Sequence, residues 1–194
     1  MTAVSYPLTL VDRVRLSSTR TRAIALVVGG ALLTAAAAQI TFVLPWTPVP
    51  ITGQTFSVLL VGTALGLRLG AASQALYVVL GAVGLPFYAD GAGGWEAASG
   101  ATAGYLVGFV LAAALLGRLA ELRQDRTLLT CWPAMLAGTA VIYACGATWL
   151  AHNLNVSAAK AVELGVAPFL IGDAVKLVAA GALVPAAWSL LDRR

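Results

Sequence analysis

Charges in this chain come in widely spaced groups, and the gaps between them have the length of membrane spans. Between Arg22 and Arg68 stand 45 uncharged residues (23–67), and between Arg68 and Asp90 another 21 (69–89). Between Glu96 and Arg118 there are 21 (97–117), and between Arg126 and Lys160 there are 33 (127–159). The last apolar stretch, 164–191, is interrupted only by Asp173 and Lys176. A spanning helix takes about 20 predominantly apolar residues. The first gap is too long for one span, and Pro45, Pro48 and Pro50 divide it. The pattern predicts six helices, at about 22–44, 53–67, 69–85, 101–121, 130–150 and 168–191. Those at 53–67 and 69–85 are short and joined tightly at Arg68, which points to tilted, kinked or partly re-entrant segments.

Composition agrees with this reading. The chain is 60% hydrophobic and 10% charged, where a soluble domain carries about 25% charged residues. Too few charges are present to coat a water-facing globule, which excludes a soluble enzyme and a disordered chain. The expectation is an all-α integral membrane protein: one domain over 1–194, a compact bundle of six transmembrane helices.

Six spans place both termini on one side. Arg13, Arg15, Arg20, Arg22, Arg68, Arg118, Arg123, Arg126, Arg193 and Arg194 all fall there, and Lys160, Asp90, Glu96 and Glu163 fall opposite. Positively charged loops stay cytoplasmic. The N- and C-termini are therefore expected in the cytoplasm, with loops 45–52, 86–100 and 151–165 outside, in the cytoplasmic (inner) membrane. Topology accounts for the basic residues without nucleic acid. Trp46, Trp95 and Trp149 then lie at outer ends and Trp132 and Trp188 at inner ends, as in an aromatic belt. The first apolar run is a full span, unlike a cleaved signal peptide. Residues 1–21 read as a basic cytoplasmic tail or a short amphipathic interfacial helix.

Glycines at 62, 66 and 70, and again at 100, 104 and 108, repeat every four residues. Such spacing clears one helix face for a close neighbour. Ala31 and Ala35 do the same on helix 1, for internal packing or for another membrane protein. Cys131 and Cys145 stand roughly 21 Å apart along one helix, too far to pair.

Polar groups inside the spans are few. Asp173 and Lys176 lie three apart on one face of helix 6, near its outer end. Each costs about 2.5–3.5 kcal/mol at a span centre, so either the pair or a ligand compensates, and intramembrane charges mark sites. A carboxylate beside an ammonium suits a ligand that presents both N–H and C=O. Gln54 and Gln74 are the other candidates, for a ligand or for a hydrogen bond to a neighbouring helix. Loop 86–100 combines four glycines with Phe87, Tyr88 and Trp95, as a lid or as a connector with interfacial anchors. The chain has no G-x-x-x-x-G-K-[ST], no H-E-x-x-H and no G-x-S-x-G. It carries no ATPase motif of its own, and no metal, cofactor or catalytic residue is expected.

At this point the residues resemble a family. Pro48-Val-Pro-Ile-Thr-Gly-Gln54-Thr55, Gly84-Leu-Pro-Phe87, Gly100-Ala-Thr-Ala-Gly-Tyr105-Leu-Val-Gly-Phe109 and Gly172-Asp-Ala-Val-Lys176 look like the motifs of the BioY family. These are the biotin-binding S components of energy-coupling factor (ECF) transporters. The similarity runs from helix 1 to helix 6. One departure is visible: the family usually reads Gly-Pro-Thr-Gly-Gly-Tyr where this chain has Gly100-Ala-Thr-Ala-Gly-Tyr105.

The resemblance implies a non-enzymatic protein that captures biotin from outside. It would work with a transmembrane T component and ABC-type ATPase subunits, docking through Ala31 and Ala35. Biotin would meet Asp173, Lys176, Gln54, Tyr105 and Gly100, with Trp46, Phe87 and Trp95 as apolar walls. Its ureido group or its carboxylate would engage Lys176. A stand-alone ion-coupled carrier or channel for a small vitamin-like solute, using Asp173 as the ion site, is the alternative.

Overall fold

The computed structural model describes residues 9–13 and 19–192. Arg15, Arg193, Arg194 and most of the expected basic tail lie outside the described residues. Within that tail, Leu10–Arg13 forms a 3-10 turn. Leu10 packs on the buried cluster of Leu59, Leu116, Met135 and Trp188, and the Arg22 guanidinium donates to the Val11 carbonyl.

Helix α1 spans Thr19–Ala38, six residues short of the expected end at 44. The β-branched and aromatic run Ile40-Thr-Phe-Val43 and the prolines behind it favour extended backbone. Strands β1 (Thr41–Phe42) and β2 (Ile51–Thr52) pair antiparallel there, Thr41 opposite Thr52. Ala31 and Ala35 are 1% and 7% exposed, in one buried cluster with Val58 and Tyr77. Thr34, between them, bonds Ser57 at 3.0 Å and accepts from Gln74 at 3.0 Å. The small stripe of α1 is thus used up inside the protein, and the expected docking face at Ala31 and Ala35 is not presented. The face turned outward carries Ile24, Val28, Leu32 and Leu33.

Helix α2 covers Gln54–Ala82 but breaks at Gly66, with φ 81° and ψ 177°. A Cβ placed on Gly70 would lie 3.0 Å from the Gly62 Cα. In a continuous helix those residues would stand about 12 Å apart at 1.5 Å per residue. The chain therefore folds back at Gly66, two residues before the expected joint at Arg68, and the limbs 54–65 and 67–82 run side by side. Only glycine readily takes that backbone conformation. The Glu121 carboxylate accepts the Leu67 N–H at 3.0 Å, satisfying a donor left bare at the start of the second limb. Ala113 and Gly117 of α4 (Ala103–Glu121) close on this hairpin: a Cβ on Gly62 would lie 2.7 Å from Ala113 Cα, and one on Gly117 2.2 Å from Gly66 C.

Two short helices, α3 (Trp95–Ser99) and α6 (Ala158–Gly165), lie in the stretches read as loops 86–100 and 151–165. Helix α5 runs Leu128–Leu154, ended by left-handed Asn155, and α7 runs Leu170–Asp192. Among the described residues, five helical stretches are long and apolar enough to cross a membrane. Because α2 folds back on itself, the long helical segments number six by count, and the chain is an all-α, multi-pass membrane protein.

The two ends of the bundle differ. Arg20, Arg22, Arg68, Arg118, Arg123 and Arg126 gather at the end holding the Gly66 turn and the 122–127 connection. There Asp125, 1% exposed, accepts from Trp188 Nε1 at 2.6 Å and Arg126 Nε at 3.2 Å. Burial pushes its carboxyl above the usual range, against the opposing pull of those donors. Trp188 is 2% exposed and covered by the Arg126 guanidinium; it is a core residue rather than part of an interfacial belt. The strand pair, α3 and α6 occupy the opposite end.

Candidate functional site

Asp173 and Lys176 project from the first two turns of α7 toward the point where β2 becomes α2. Phe169, Asp173 and Lys176, spaced by four and three, share one face. The sharp passage from strand through Gly53 into helix brings the Thr52 carbonyl and the Thr55 hydroxyl to the same point. Lys176 Nζ donates to Thr52 O at 2.5 Å, to Asp173 Oδ1 at 2.7 Å and to Thr55 Oγ1 at 3.2 Å. Asp173 also accepts from Thr55 Oγ1 at 2.9 Å and, on Oδ2, from the Tyr143 hydroxyl of α5 at 2.6 Å. All three ammonium protons have partners, and three donors converge on the carboxylate. A carboxylate offers about four acceptor positions, so one remains for an incoming N–H. The two charges neutralise each other at a contact whose side chains are 7% and 19% exposed.

This cluster forms the polar end of a cavity of about 310 Å³, near the lower bound of the roughly 300–1,000 Å³ found for small-molecule sites. Tyr88, Tyr105, Leu106, Phe109, Tyr143 and Phe169 supply its apolar walls, and Pro48, Val49, Pro50, Ala89, Ala92 and Ala97 line it from the connecting segments.

Several expected residues meet here with their roles defined by geometry. Gln54 lines the cavity, yet both ends of its amide are engaged. Its Oε1 accepts from Thr52 Oγ1 at 2.7 Å, and its Nε2 donates to the Tyr77 hydroxyl. Tyr105 presents its ring, because its hydroxyl donates to Gly165 O at 2.6 Å. That ring is wedged so closely that a Cβ on Gly146 would lie 2.2 Å from it, and one on Gly165 2.3 Å from its oxygen. Gly100 lines the cavity, and its carbonyl accepts from Trp149 Nε1 at 2.8 Å. Trp46 and Trp95 lie outside the lining, 63% and 75% exposed. Phe87 is half-buried against the neighbouring cluster and also outside the lining.

The aromatic wall is therefore the expected Tyr105 together with Tyr88, Phe109, Tyr143 and Phe169, which stand in place of Trp46, Phe87 and Trp95. Tyr143 carried one usable signal, since a tyrosine within a span needs a partner for its hydroxyl. Phe169 carried another, its position four residues before Asp173. Tyr88 is folded inward: its hydroxyl donates to Val78 O at 2.6 Å and its ring meets Tyr77 edge-on at 5.7 Å. Burial pushes its ionisation above the ordinary phenol value. Among the described residues no three His, Cys, Asp or Glu side chains gather into a metal site.

The model of the BioY family matches residues 10–193. The chain is 39% identical over 142 residues to the protein named biotin transporter BioY from Thermotoga maritima, covering 71% of this chain and 79% of that one. It is 36% identical over 147 residues to the protein of the same name from Rhizobium etli, covering 72% and 78%. A crystal structure of the S-component for biotin from an ECF-type ABC transporter superposes with a TM-score of 0.81. That match covers 91% of this chain and 95% of the other at 20% sequence identity, a likeness of fold.

Proposed function

Because the chain belongs to the BioY family, we propose that it captures biotin in the cavity beside Asp173 and Lys176 and delivers it across the inner membrane as the S component of an ECF-type transporter. Relatives 39% and 36% identical are named biotin transporters, and the similar fold belongs to a biotin S-component. A transmembrane T component and ABC-type ATPases would supply the energy that this chain has no P-loop to harvest. The cavity would face outward, because six described arginines cluster at the opposite end and basic loops remain cytoplasmic.

The observation that carries the reading is the charge-neutral pair at the polar end of an apolar cavity. Biotin's ureido group has two N–H donors and one C=O acceptor. One N–H takes the acceptor position left on Asp173, and Lys176 turns from Thr52 O or Thr55 Oγ1 toward the ureido oxygen. An anionic carboxylate at the same place would sit beside the Asp173 carboxylate, 2.7 Å from the ammonium it would seek. Like charges in a poorly solvated site repel strongly. The ureido ring therefore goes inward, and the aliphatic chain points its carboxylate toward the mouth. Tyr143 and Thr55 orient Asp173; Tyr105, Phe109 and Phe169 pack the bicycle.

Mass spectrometry of small molecules released from the purified protein tests the reading. Recovery of biotin supports it. A preparation that carries none and takes up none at micromolar concentration overturns it.

A further inference from the structure

Gln39 is the first residue past α1, and its side chain reaches across to the turn Tyr88–Gly91. Nε2 donates to Tyr88 O at 3.2 Å, and Oε1 accepts the Gly91 N–H at 3.1 Å. Nε2 also donates to Ala35 O of its own helix at 3.0 Å, with a longer approach to Pro86 O at 3.5 Å. In a closed four-residue turn the first carbonyl and the fourth N–H bond each other. Here the primary amide stands between them and bonds both. A carboxylate could accept from Gly91 but could not donate to Tyr88.

The turn it holds includes two left-handed residues, Asp90 (φ 57°) and Gly91 (φ 68°), and it belongs to the roof of the cavity through Tyr88, Ala89 and Ala92. The roof has other ties to α2, through Tyr88 to Val78 O and the Gly94 N–H to Gly81 O at 2.7 Å. Gln39 is its tie to α1. That helix lies at the edge of the bundle with Ile24, Val28, Leu32 and Leu33 turned outward, so a shift of its end pulls directly on the roof.

We propose that Gln39 is a positioning residue whose amide clasps the cavity roof, residues 88–92, to the end of α1 and so sets how fast a bound ligand leaves. The inference rests on the biotin reading above for its ligand.

The test compares the parent with Gln39→Glu, Gln39→Ala and Gln39→Asn in lipid nanodiscs. It reads release of tritiated biotin and amide hydrogen exchange across 86–94. Glu keeps the length and loses the donors, Ala loses everything, and Asn keeps the amide but shortens its reach. Glu and Ala should release biotin about tenfold faster, equivalent to about 1.4 kcal/mol, with Asn between them and the parent. Exchange at Gly91 should rise most in Gln39→Ala, which leaves its N–H without the side-chain acceptor, while α4 and α5 keep their protection. Equal release by all four proteins overturns the clasp, as does faster exchange without faster release. If the parent itself holds no biotin, the functional reading fails separately. Exchange alone then decides, and unchanged protection at Gly91 in Gln39→Ala overturns the clasp.

Discussion

Asp173→Asn removes the charge on which three donors converge while changing the side chain's shape very little. In the parent, Lys176, Thr55 and Tyr143 donate to Asp173 at 2.7, 2.9 and 2.6 Å. The substitution does two separable things. For binding, a ureido N–H loses a charged acceptor, and a hydrogen bond to a charged group is worth about 1.5–3 kcal/mol, or about 10- to 150-fold in Kd. For stability, Lys176 is left without its counter-charge. Breaking a fully buried pair costs about 3–5 kcal/mol. Lys176 is 19% exposed and keeps Thr52 O, so the cost falls at about the lower end of that range. The double variant Asp173→Asn/Lys176→Met removes the orphaned charge and should regain most of the lost stability. It should still bind biotin at least as poorly as the single variant. Titration calorimetry gives the affinities, and thermal melting in the same detergent gives the stabilities. Parent-like binding by Asp173→Asn, or by the double variant, would refute the site and leave the pair a structural ion pair.

Three further perturbations probe the scaffold. Gly66→Ala should destabilise the fold by about 1–3 kcal/mol, because φ 81° and ψ 177° is a region that side chains avoid; an unchanged melting temperature would mean the α2 limbs do not fold back there. Ala35→Leu overfills a position 7% exposed and should cost about 1–3 kcal/mol, lowering biotin binding by the isolated protein together with uptake. Loss of uptake with binding and stability intact would instead make this helix face a docking surface. Arg123→Cys, in a chain whose own cysteines are replaced by alanine, should react with impermeant maleimide only after the membrane is opened; labelling of intact cells would reverse the assigned sides.

Much of the fold was legible because the bilayer leaves so few options. Spans must be long, apolar and nearly free of charge, so the gaps at 69–89, 97–117 and 127–159 locate helices almost unaided. What one-dimensional spacing could not show was direction. The glycines at 62, 66 and 70 announce close packing, but a ladder on a straight helix and a reversal at its middle rung look alike until Gly62 and Gly70 are seen in contact. The alanines of α1 gave the same ambiguity between an inner and an outer face. It is resolved by their polar neighbour Thr34, whose hydroxyl needs the buried partners Ser57 and Gln74.

Within the site, Asp173 and Lys176 stood out because charge inside a span is costly. The aromatic wall did not, since Trp46, Phe87 and Trp95 sit in promising loops but turn away from the cavity. Tyr143, on a helix whose sequence shows little beyond apolarity, turns in. Which side of a helix faces a cavity depends on its rotation against its neighbours, and that is set by contacts such as Gly104 and Gly108 of α4 against α5.

The most direct measurement is equilibrium binding of biotin and of biotin amide to the purified protein, side by side. The amide keeps the ureido ring and loses the carboxylate charge. With the ureido group held by Asp173 and Lys176 and the carboxylate at the mouth, both ligands should bind, with affinities within about fivefold, or about 1 kcal/mol. No binding of biotin would contradict the function, and a loss of about 100-fold or more for the amide, about 2.7 kcal/mol, would contradict the site as drawn by placing the carboxylate on Lys176.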